Sequence, residues 1–164
     1  MTQLVFIHGP GAGGCADGFV RQLEHFPGSL APTLPGHLSG EPCSSVERYA
    51  EWVRGWLWAQ GKHEGLMLSG FTMGASIALQ YALDYPEEVK GLVLMTVAVR
   101  RKEWPPGALE MRLRAVEDPE TMQEWMAFQR KMLMLVEPGL RERLMKCHEQ
   151  VGPMSQYNDL VALG

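Results

Sequence analysis

The residues best placed to do chemistry stand at Gly70-Phe71-Thr72-Met73-Gly74. A hydroxyl residue with glycine two positions before and two after it lies between the apolar run Leu66-Met67-Leu68 and a segment carrying Ala75, Ile77, Ala78, Tyr81 and Ala82. This is the spacing of a nucleophile on a sharp strand-to-helix turn, the nucleophile elbow. The demand is steric: the central residue is held at a strained backbone angle, so its neighbours two away must be small enough for strand and helix to close up. Gly70 and Gly74 meet that demand. Such a turn serves nucleophilic attack on a carbonyl. Thr72 supplies the hydroxyl, although a β-branch fits poorly at positive φ and crowds an incoming carbonyl.

A second glycine-rich stretch allows a different chemistry. Gly9-Pro10-Gly11-Ala12-Gly13-Gly14 satisfies GxGxxG after an apolar run, the pattern that cradles a dinucleotide pyrophosphate. The acid that should follow about 20 residues on is absent, since Thr33, Leu34 and Pro35 stand there. Pro10 also removes one amide from the cradle. The reading leaves both His8 and the Gly70 turn unexplained. The sequence holds no P-loop and no metal-binding spacing of Cys and His.

The elements that position these residues are legible from periodicity. Leu4-Val5-Phe6-Ile7 is a continuous apolar run, as in a strand buried on both faces of a parallel sheet. Phe19, Val20, Leu23 and Phe26 recur at helical spacing and predict a helix over 16–26, stopped by Pro27-Gly28. A strand is expected over 29–34. Ser44 with Glu47 then makes a capping box for a helix whose face carries Tyr49, Ala50, Val53 and Leu57. Strands at 66–68 and 91–95 flank the helix that follows Thr72. The alternation β-α-β-α-β-α-β within 95 residues predicts an α/β fold, a doubly wound and mostly parallel sheet of four strands. Beyond Trp104-Pro105-Pro106-Gly107 only helices are expected, over 108–116, 119–136 (Asp118 as N-cap, Pro119 at its first position) and 139–150. Seven of the eleven methionines lie between Met111 and Met154, which suits an adaptable apolar inner surface.

Composition narrows the function class. With 164 residues, 46% hydrophobic and 21% charged, the chain has the make-up of one globular domain. A net charge of −4, with no basic excess in either half, excludes the footprint of nucleic-acid or anionic-membrane binding. Cys15, Cys43 and Cys147 are three, widely spaced, and argue against a disulfide scaffold or a zinc site. The N-terminus lacks a basic export leader, and no run approaches about 18 apolar residues. A cytoplasmic location is expected.

Taken together, the elbow, His8-Gly9 after the first strand, Leu34-Pro35-Gly36-His37-Leu38-Ser39, and the run Tyr85-Pro86-Glu87-Glu88-Val89-Lys90-Gly91-Leu92-Val93-Leu94 resemble the N-terminal half of an α/β-hydrolase. The resemblance covers residues 1–100 as the first part of the hydrolase core and makes 101–164 a helical lid. It implies that Thr72 occupies the nucleophile position and that the Met73 N–H is one oxyanion donor. The second donor comes from the turn after the first strand. Pro10 has no N–H, so Gly11 supplies it with the turn shifted by one residue, supported by His8 and Gly9. No cofactor is implied.

The family's acid and histidine should follow the nucleophile in chain order, on loops after later strands. After Thr72 the sequence has one histidine, His148, among Lys146, Glu149 and Gln150, where a solvated helix face accounts for it. No acid directly follows the fourth strand, where Thr96 and Val97 stand. The expectation is a truncated fold of esterase type, acting on a small apolar ester but lacking the base for its hydroxyl. The alternative is a catalytically silent fragment or pseudoenzyme that works with a partner or complementing chain, or self-associates through an exposed sheet edge.

Overall fold

A computed structural model describes residues 2–10, 14–97, 99 and 103–164. Three parallel strands, β1 (Gln3–Ile7), β2 (Leu66–Phe71) and β3 (Val89–Met95), form one sheet in the order β1-β2-β3. The helices are α1 (Val20–His25), preceded by a 3-10 turn at Ala16–Phe19, then α2 (Val46–Ala59), α3 (Met73–Asp84), α4 (Glu110–Glu117), α5 (Pro119–Met132) and α6 (Pro138–Leu163). Among the described residues no helix is long and apolar enough to cross a membrane.

Among the described residues the sheet has three strands, not four. The segment expected as a strand over 29–34 makes a single parallel bridge, Leu30 to Val5, through two backbone hydrogen bonds. Pro32 and Pro35 lack the N–H groups a ladder needs, so pairing stops after one step. The helix expected over 16–26 divides into the 3-10 turn and α1. Ser45, not Ser44, caps α2, its hydroxyl accepting the Arg48 N–H at 3.4 Å. Asp118 caps α5 as expected, accepting from Thr121 N–H. That helix ends at Met132 rather than 136. The last helix continues past 150, but Gly152, at φ 73 and ψ 170, interrupts it before Pro153.

Register fixes which side chains share a face. Leu66 and Leu68 of β2, with Leu92 and Leu94 of β3, join Val5 and Ile7 in the core against Tyr49, Val53 and Leu57 of α2 and Ile77 and Tyr81 of α3. Each fully buried Leu or Ile there contributes about 1.5–3 kcal/mol. On the opposite face Phe6 packs on Phe19 and Phe26, while Phe71, Val93 and Met95 remain exposed. At the N-terminal end of the sheet, Glu88 accepts two bonds from Arg54 (2.9 and 2.7 Å) and one from the Tyr81 hydroxyl (2.5 Å). This network ties α2, α3 and the approach to β3 together, leaving the C-terminal ends of the strands free for chemistry.

Candidate active site

Thr72 joins β2 to α3 with φ 52 and ψ −113, a backbone conformation that a β-branched residue rarely adopts. The turn is sharp because its glycines permit it. A Cβ on Gly70 would lie 2.2 Å from the Gly74 carbonyl oxygen, and one on Gly74 would lie 2.0 Å from the Ile7 carbonyl oxygen. Gly74 therefore lets α3 press directly against the end of β1, and Gly70 lets the turn close on itself. The Thr72 N–H donates to the Met95 carbonyl at 2.9 Å, anchoring the elbow to the end of β3. Thr96, directly after it, is the other described non-glycine residue at positive φ, 58.

The Thr72 hydroxyl points at the turn after β1. A Cβ on Gly9 would fall 1.8 Å from Thr72 Oγ1 and 2.6 Å from the Phe71 carbonyl oxygen. Oγ1 is buried and has no hydrogen-bond partner. The fold thus brings together Thr72, Gly9 and His8 from the sequence reading, with Met73 opening α3. The first N–H groups of a helix have no intrahelical acceptor and carry its positive end, and Met73 stands at the first position of α3. Gly11 lies outside the described residues.

None of the described histidines bonds the Thr72 hydroxyl. His8 Nε2 accepts the Leu34 N–H at 2.9 Å, so its proton sits on Nδ1, facing the Gly9 carbonyl at 3.1 Å. Burial, and then the nearby charge of His37, lower the His8 pKa to about 3 and keep it neutral. His25 packs against Phe26, and His63 stacks on Trp58. His148 does not lie on a solvated face: it is buried, edge-on to Trp125, and burial lowers its pKa to about 4.

A histidine–carboxylate pair does exist, between residues the sequence reading did not join. His37 Nε2 bonds Asp159 Oδ2 at 2.9 Å, and His37 Nδ1 bonds the Leu34 carbonyl at 3.1 Å. Burial pulls the His37 pKa down, but the bond and charge of Asp159 outweigh it and raise the pKa above its ordinary value. Both ring nitrogens of His37 are engaged, Nδ1 with the Leu34 carbonyl and Nε2 with Asp159, and neither bonds Thr72. Tyr49 donates to the other Asp159 oxygen at 3.2 Å. A second missed pairing joins Cys15 and Cys147 in a disulfide. Both pairings span more than 120 residues of sequence. The available signal for Asp159 is a lone charge in the apolar run that ends the chain.

Comparison with known proteins places the chain in one family. The family model described as alpha/beta hydrolase fold matches residues 4–137. A pimeloyl-[acyl-carrier protein] methyl ester esterase of Nitrosomonas europaea is 32% identical over 111 residues, covering 64% of this chain and 42% of that protein. A hydrolase from Pseudomonas aeruginosa PA01 superposes with a TM-score of 0.73 at 20% identity, over 98% of this chain and 64% of that one. An esterase from Thermogutta terrifontis gives 0.68 at 19%, over 99% and 63%. The chain thus spans less than two thirds of the length of each, and the two structural likenesses speak to fold alone. The matched span runs from β1 through the elbow and into the helical segment, and the chain belongs to the alpha/beta hydrolase fold family.

Proposed function

We propose that the chain carries the nucleophile half of an esterase-type hydrolase acting on a small, largely apolar ester. The observation that carries this reading is the Thr72 hydroxyl, buried and unpartnered on a positive-φ elbow against Gly9. Its Oγ1 is the attacking atom. The Met73 N–H and an N–H of the turn after β1, at Gly11, are the donors for the developing oxyanion, and His8 and Gly9 support that turn. The helices from Glu110 onward form a lid. The Nitrosomonas relative adds methyl esters of acyl groups borne on a carrier protein to the substrates worth testing.

The histidine inventory favours a second reading, in which this chain alone is catalytically silent and works with a complementing chain. Turnover of p-nitrophenyl acetate by the wild type, Thr72→Ser and Thr72→Ala separates the two. The ester reading expects Thr72→Ser to exceed the wild type, because removing the β-methyl relieves crowding, and Thr72→Ala to fall to the buffer rate. Wild-type turnover retained in Thr72→Ala contradicts it. A buffer rate for all three variants supports the silent reading.

A further inference from the structure

We infer that α6 is a strap that positions both ends of the glycine-rich turn after β1, with Asp159 and Cys147 as its two attachment points. The inference rests on reading that turn as the oxyanion turn, and it concerns what fixes the turn in place. A donor helps an oxyanion only if it is aimed beforehand, and contacts at the two ends of the turn would aim it.

At its entry, the His8 ring is held on one nitrogen by the Leu34 N–H, and its other nitrogen faces the Gly9 carbonyl. The His37 ring stands edge-on to His8 at 4.7 Å and is fixed by Asp159 of α6. Ser155, one turn earlier in α6, donates to the Gly36 carbonyl at 2.6 Å and secures the same loop. At the exit, Gly14 leads into Cys15, which is bonded to Cys147. Asp17 then receives two bonds from Arg143, at 2.9 and 2.8 Å, one turn before Cys147. The interruption at Gly152 falls between the two attachments, so each half of α6 takes its own direction toward one end of the turn.

The test uses 15N-labelled protein and needs no turnover, so its failure is distinguishable from failure of the ester reading. In Asp159→Asn the ring-nitrogen signals of His8 shift, and amide exchange at 8–9 quickens at least tenfold while 14–19 keep wild-type rates. In Cys147→Ser only 14–19 quicken. Amides of α3 keep wild-type rates in both. Should Asp159→Asn not fold, excess dithiothreitol on the wild type supplies the second arm. The dithiol gives up two electrons and two protons, becomes a cyclic disulfide and leaves two cysteine thiols, after which 14–19 quicken tenfold. Unchanged His8 signals in a folded Asp159→Asn overturn the inference. So do exchange at 14–19 that ignores reduction, quickening shared equally by α3, and alkylation of both cysteines in the unreduced native protein.

Discussion

Thr72 carries two costs that a threonine in a purely structural turn would avoid. Its φ of 52 is strained for a β-branched residue, and its buried hydroxyl makes no hydrogen bond. Strain of this kind costs about 1–3 kcal/mol. Thr72→Gly is therefore expected to raise stability by about 1–2 kcal/mol in urea unfolding, the trade expected where a site is kept at the expense of the fold. A loss of stability in that variant contradicts the reading of Thr72 as strained for function. Gly74→Ala has the opposite expectation. Its Cβ would meet the Ile7 carbonyl at 2.0 Å, so strand and helix must part, at about 1–3 kcal/mol. These residues were legible because their spacing is local: five consecutive positions state both the nucleophile and the space it needs. His37–Asp159 and Cys15–Cys147 were not, because no local pattern announces which distant loop a helix will touch. His148 was misread for a related reason. Its sequence neighbours are polar, but its ring faces Trp125 of another helix.

Among the elements, α6 and the loops carrying His8 and His37 set how the fold responds to pH. His37 has a raised pKa, so its stabilisation is fully present below the unfolded value of 6.5 and is lost as pH rises through the folded value. His8 and His148 act in the other direction. The folded chain refuses their protons down to about pH 3 and pH 4, while the unfolded chain takes them up below 6.5. Stability, read as the urea midpoint against pH, is expected to peak near 6.5 and fall on both sides. Asp159→Asn should flatten the alkaline limb, and His148→Gln should soften the acid limb. An alkaline limb unchanged by Asp159→Asn contradicts the assignment. Local sequence rules read α6 well up to a point. Gly152-Pro153 is a proper stop signal, and the first helical half does end there, but a second half resumes at once and carries Asp159 into the core. The apolar residues of 29–34 suit a strand, but Pro32 denies the ladder an N–H and pairing stops at Leu30.

At the scale of the molecule, the fold class was legible from the alternation of buried runs and amphipathic segments, and the family match agrees with it. Among the described residues β3 lies at one edge of the three-stranded order, with Val93 at 48%, Met95 at 41% and Phe71 at 44% exposure on one face. An edge of this kind favours pairing between chains. Sedimentation is expected to show concentration-dependent association that Val93→Lys weakens; a monomer at all concentrations contradicts this. The central claim is that Thr72 is an attacking hydroxyl whose base is not among the described histidines. Chemical rescue tests it most directly. Adding imidazole to the chain should produce an increment in p-nitrophenyl acetate hydrolysis, beyond imidazole's own rate, that is present with Thr72 and absent in Thr72→Ala. Equal increments in the two proteins, or none in either, would contradict the claim.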